Sequence, residues 1–163
     1  MKGKRIDGRN PKELRPISIV PNYLEQPLAR VPVEFAKTKV VCAASAQDTV
    51  PKWLREDTDG VQFGWVTSEY SMLPFASGLQ RTPRESSRGR IGGRTHEIQR
   101  LIGRSFRSVV DLEALGERTI WVDCHVLQAD RGTRTAAVSG GFVALVMALE
   151  KLKKAFSIEP PLW

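Results

Sequence analysis

The chain has 163 residues, enough for one domain with a hydrophobic core of its own. Hydrophobic residues make up 41% and charged residues 26%, the proportions of a folded globular protein and not of a disordered one. Lysine and arginine number 25 against 18 acids, and the resulting charge of +7 fits a polyanionic partner, or solubility alone.

The first 16 residues are polar and mixed in charge, and the basic start is followed by Asp7, Arg9 and Asn10 where a secretory leader would turn apolar. Strand-like runs follow at Ile17–Val20, Val31–Phe35, Lys39–Ala43 and Phe63–Thr67. Pro32 fits a strand edge or start, since it has no N–H for a central ladder. From Ser71 to Gly93, six Gly and Pro residues and little periodicity read as a long loop, usually functional or disordered in a compact domain. A helical period then sets in: Ile98, Leu101, Ile102, Val109 and Leu112 share a face, with Thr95 as N-cap and Gly116 just past the end. Arg100, Arg104 and Arg107 form a cationic stripe on another face. Ile120–Leu127 alternates as a strand, and its two faces both carry apolar side chains, Trp121 and Leu127 lying opposite Ile120, Val122, Cys124 and Val126. A second helix is expected from about Thr135 to Lys154, with Val138, Phe142, Leu145, Leu149 and Leu152 facing the core. The longest apolar run, Phe142–Leu149, is far shorter than the about 20 residues a membrane span takes. Cys42 and Cys124 have no metal-ligand spacing and read as buried free thiols, so the chain is expected to be cytoplasmic and free of membrane.

Two places concentrate chemistry. Between Arg81 and Arg107 stand eight arginines, two acids (Glu85 and Glu97) and no lysine. Arginine is the residue of bidentate phosphate contacts, and half of this run lies on the Gly/Pro loop, so it reads as phosphate or RNA binding against the alternative of a solvated helix face. The second is Gly132-Thr133-Arg134-Thr135 at a strand-to-helix turn, where free N–H groups, a hydroxyl and a guanidinium can converge on an anion. Taken alone that pattern does not separate an anion site from an ordinary helix start, and it is not a Walker loop. Asp123 and His125 share a strand face and read as a structural hydrogen-bonded pair; His96 reads as a surface residue. No nucleophile elbow and no zinc spacing are present.

These residues also carry a resemblance. Arg5-Ile6-Asp7-Gly8-Arg9, Glu13-Leu14-Arg15-Pro16-Ile17, Gly64-Trp65-Val66-Thr67-Ser68-Glu69-Tyr70-Ser71-Met72-Leu73-Pro74, the run Gly92–Arg104, Leu115–Ile120 and Gly132–Ala137 resemble, in order, the bacterial ribonuclease PH family. The resemblance implies an α+β ribonuclease PH-type fold (ribosomal S5 domain 2-like), a mixed sheet backed by helices, with residues 1–163 as a single domain and the C-terminal half of the family fold absent. It implies a phosphate-dependent 3′→5′ exoribonuclease that trims tRNA precursor 3′ ends and releases nucleoside diphosphates. Phosphate binding falls to Arg94, Gly132, Thr133 and Arg134, and RNA binding to Arg81, Arg84, Arg88 and Arg90. Inorganic phosphate is the co-substrate; Mg2+ and the catalytic carboxylates would use residues beyond Trp163, leaving no metal ligand in this chain. RNA, further copies in a dimer-based hexameric ring, and a second chain completing the fold are the expected partners. Four positions depart from the family pattern: Ala36 and Arg131 where glycine is expected, Phe75 where arginine is, and His125 where aspartate is. The alternative these departures raise is a catalytically impaired RNA-binding or assembly subunit.

Overall fold

The computed structural model describes residues 4–23, 28–56, 63–78 and 80–156, so Pro160–Trp163 lies outside the described residues. Five strands form one sheet in the order β1 (Ile17–Ile19), β2 (Ala29–Phe35), β3 (Thr38–Gln47), β5 (Thr119–Gln128) and β4 (Trp65–Met72). β4 and β5 run parallel and all other neighbours antiparallel, which makes the sheet mixed. The period-2 alternation decides which side chains go inward. Val31 and Val33, Val40, Cys42 and Ala44, Ile120, Val122, Cys124 and Val126, and Val66 and Tyr70 are all buried. Pro32 sits on an interior strand by order, yet β1 has already stopped beside it, and Val20 N–H donates to its carbonyl from the adjoining loop. Cys42 and Cys124 face each other across the β3–β5 ladder as buried free thiols.

Two helices cover the inward face of the sheet. α2 (Gly93–Arg107) lies on β4, and α4 (Thr133–Phe156) lies on β2, β3 and β5. A short α1 (Lys52–Glu56) and α3 (Leu112–Leu115) complete the helices among the described residues. The face that α4 turns to the sheet is built largely of small residues, Ala136, Ala137, Gly140, Gly141, Ala144 and Ala148, together with Leu145, Leu149 and Leu152. Gly140 is the closest approach: a Cβ there would run into the Val33 side chain. Of the five residues expected to face the core, Val138 is only half buried and Phe142 remains 41% exposed, because the helix meets the sheet on its small-residue side. At 24 residues α4 is also long and apolar enough by composition to cross a bilayer, which the Phe142–Leu149 run alone did not disclose. Half of its most apolar stretch is buried in the protein, the situation of a core helix.

Boundaries differ from the expected ones for physical reasons. α2 starts two residues before Thr95, which is no cap: its hydroxyl donates to Glu85 Oε1, while Gly92 N–H donates to Glu85 Oε2. The helix does not reach Gly116. It ends at Ser108, leaving Val109 exposed, and α3 restarts on its own cap, Asp111 accepting from Ala114 N–H before Gly116 at φ +64°. β4 extends through Met72, so the long loop begins only after it and contains a 3-10 turn at Glu85–Arg88. Ala36 and Arg131, the two positions where the resemblance led to glycine, have φ of +53° and +62°. Both place a Cβ in the left-handed region, which glycine enters without strain.

Candidate functional site

The turn between β5 and α4 is pinned before the helix begins. Thr38, fully buried, accepts from Asp130 N–H at 2.9 Å and donates to the Arg131 carbonyl at 2.7 Å. Arg15 donates to the Asp130 carbonyl at 2.5 Å and to that of Arg131 at 3.2 Å. Arg131 and Gly132 then take consecutive left-handed conformations, and the chain enters α4 at Thr133, two residues earlier than the expected Thr135. Thr133 and Arg134 therefore belong to the first turn of the helix, where N–H groups lack intrahelical partners and the helix dipole is positive.

Around this first turn the fold brings together groups far apart in sequence. The Tyr70 hydroxyl, at the end of β4, donates to Thr133 Oγ1 at 2.8 Å, and both residues are buried. Burial pushes the Tyr70 phenol upward; the bond to Thr133 and the charges of Arg94 and Arg134 pull the other way. Arg94 lines the same cavity as Tyr70, and Arg134 follows Thr133 in the chain. Arg134 is held by Glu97 of α2, one helical turn beyond Arg94, at 3.1 Å. That pair is half exposed, the kind worth at most about 1 kcal/mol, so an arriving anion can draw the guanidinium away. Three of the four expected phosphate residues carry side chains, and these are grouped here; Gly132 supplies the turn.

The loop arginines are arranged differently. Arg81, Arg84 and Arg90 are exposed, and none of their side chains makes a hydrogen bond or ion pair among the described residues; the Arg88 side chain lies outside them. Arg84 and Arg94 line one cavity of about 330 Å3, floored by Met72, Leu73 and Ile91 and reaching Tyr70. Arg107 leaves the expected cationic stripe. Its Nη1 donates to the Val66 carbonyl at 2.7 Å and its guanidinium lies 4.2 Å from the centre of the Trp65 ring, which makes it structural, while Arg100 and Arg104 stay exposed. A wider cleft of about 450 Å3, lined by Trp53, Trp65 and Trp121, lies at the opposite ends of β4 and β5 and holds none of the expected site residues. His125 does not bond to Asp123 as expected; its Nδ1 pairs with Ser71 Oγ at 2.7 Å, its register partner across the parallel ladder. Burial and the neighbouring Glu69 carboxylate push Asp123 up, against the pull of His125. Among the described residues no three His, Cys, Asp or Glu side chains come together to hold a metal ion.

Residues 13–149 match the model of the 3′ exoribonuclease family, domain 1. The chain belongs to this family. It is 57% identical over 151 residues to ribonuclease PH of Bacillus mycoides and 56% identical over 151 residues to that of Bacillus cereus. Those alignments cover 93% of this chain and 60% of each relative, so the chain spans about 60% of the length of the curated relatives it matches. Similar solved structures include rice Rrp46, at TM-score 0.70 and 21% identity over 88% of this chain and 61% of that one. An Archaeoglobus fulgidus exosome with RNA bound to the active site aligns at TM-score 0.73 and 24% identity, over 98% of this chain and 61% of its own. At these identities the likeness shows the fold, the α+β ribonuclease PH type, with the mixed sheet and its helices as expected. Tyr70 and Glu97 were not singled out in the sequence. Tyr70 lies 63 residues from Thr133 and Glu97 lies 37 from Arg134, and no local spacing signals either pairing.

Proposed function

We propose that this chain forms the phosphate- and RNA-binding part of a phosphorolytic 3′→5′ exoribonuclease of the ribonuclease PH type. The observation that carries the reading is the first turn of α4, where Thr133 bonds to Tyr70, Arg134 follows in the chain, and Arg94 lines the cavity that reaches Tyr70. In phosphorolysis an oxygen of inorganic phosphate, the co-substrate, attacks the phosphorus of the last internucleotide linkage. The bond from that phosphorus to the 3′ oxygen breaks, and a nucleoside diphosphate leaves a chain shorter by one residue. Two anions must be brought together, so fixed cations and N–H groups that hold phosphate beforehand lower the barrier directly. Gly132 lets the anion approach the backbone, Thr133 offers a hydroxyl, and Arg94 and Arg134 supply charge. The cavity joining Arg94 to Arg84 has room for the terminal nucleotide, with an apolar floor for its base and Arg81, Arg84, Arg88 and Arg90 for the phosphates upstream. The 3′ ends of tRNA precursors are the proposed RNA, in the cytoplasm, with further copies in a dimer-based ring and the carboxylates for proton handling supplied from outside these residues.

The test is a turnover assay on a tRNA precursor with a 3′ extension. Nucleoside diphosphates released only when phosphate is present support the reading. Binding of both phosphate and RNA with no release under any condition supports the impaired-enzyme alternative. Release of nucleoside monophosphates without phosphate contradicts both.

A further inference from the structure

We propose that Tyr70 is a positioning residue for the phosphate site: it donates its phenolic proton to Thr133 Oγ1 and so leaves the threonine proton for the bound anion. This rests on the phosphate reading above. A threonine hydroxyl has one proton and two lone pairs. With Tyr70 as donor at 2.8 Å, one lone pair is occupied and the proton has to find a different acceptor. Among the described residues the Thr133 hydroxyl makes no second hydrogen bond. Were the bond reversed, Thr133 would turn its lone pairs toward phosphate and repel it. The phenol is well suited to hold this direction. Tyr70 is 2% exposed, its Cα pairs in register with Cys124 inside the sheet, and its carbonyl lies 3.5 Å from Gln99 Nε2 of α2. The phenol is protonated at neutral pH in any case, and burial pushes its pKa further up. Arg94 and Arg134 bring charge from two helices, and Tyr70 fixes from the sheet the direction of the hydroxyl donor.

Phosphate titration of the chain by calorimetry, with a melting curve on every variant, tests this. Tyr70→Phe keeps the ring and is expected to weaken phosphate binding roughly three- to ten-fold. Thr133→Ala is expected to lose a similar amount, and the double variant Tyr70→Phe/Thr133→Ala no more than Thr133→Ala alone, because the two hydroxyls act as one unit. Tyr70→Phe binding phosphate like the unaltered chain, or losses that simply add, would overturn the assignment, and a merely structural Tyr70 would show a lower melting midpoint at unchanged affinity. Should Tyr70→Phe not fold, the comparison moves to the other partner. Thr133→Ser keeps the hydroxyl and is expected to keep the affinity, Thr133→Val is expected to lose it, and equal binding by both defeats the proposal. An unaltered chain that binds no phosphate overturns the phosphate reading itself, a result separate from the others.

Discussion

The start of α4 and the arginine loop after β4 both present cations to solvent, and the fold holds them in opposite ways. At α4 the backbone is set by Thr38 and Arg15, the hydroxyl of Thr133 by Tyr70, and the guanidinium of Arg134 by Glu97. In the loop, Arg81, Arg84 and Arg90 are exposed and unpaired among the described residues, and Glu85 ties the loop to the start of α2. Preorganisation suits a small symmetric ion that must sit at a fixed distance from a reacting phosphorus. Adaptable arginines suit a long polyanion that moves through the site one residue at a time. On the proposed function, positioning falls to one region and capture to the other.

Breaking the first region has the largest expected effect. Arg134→Ala removes a charge-assisted hydrogen bond worth about 1.5–3 kcal/mol, so phosphate affinity should fall ten-fold or more in a calorimetric titration. RNA affinity should change far less. In the second region, Arg81, Arg84 and Arg88 replaced together by alanine should lower affinity for RNAs of every sequence alike. The log–log dependence on salt should flatten by roughly 0.7 for each phosphate of a single strand that the variant no longer neutralises.

The left-handed turn offers a smaller and opposite effect. Arg131→Gly removes a strain of roughly 1–2 kcal/mol while adding roughly 0.5–1 kcal/mol of unfolded-chain entropy, for a net gain of up to about 1.5 kcal/mol in denaturant unfolding. Ala36→Gly, at the same kind of backbone position, should behave alike. The smallest change concerns pH. Asp123 in the folded chain titrates above its ordinary range, so the folded state binds the proton more tightly than the unfolded one. Stability from this group is complete below the unfolded carboxylate pKa and is lost as pH rises through the folded value. Asp123→Asn should therefore stabilise the protein at neutral pH, with the gain fading in acid, as melting midpoints across a pH series would report.

Much of this was legible from pattern alone. Strand-like runs placed all five strands, with buried residues recurring at every second position in β2, β3 and β5, and the 3.6 period found both long helices. What escaped was tertiary. Thr95 has the chemistry of a cap, yet Glu85, ten residues away, takes its hydroxyl. Phe142 is apolar, yet α4 turns its glycines and alanines to the sheet because only they allow close approach. Arg107 belongs to a cationic stripe by spacing and to a tryptophan ring by packing. Arg94, Thr133 and Arg134 were visible as separate motifs, whereas the tyrosine that links them, on a different strand, was not.

Phosphate titration of the Arg81, Arg84 and Arg88 triple alanine variant beside the unaltered chain tests the division between the two regions most directly. The account predicts saturable phosphate binding with nearly the same affinity in both, while RNA binding by the variant is weakened. Phosphate affinity that falls along with RNA affinity would contradict it, because the two regions would then be one site.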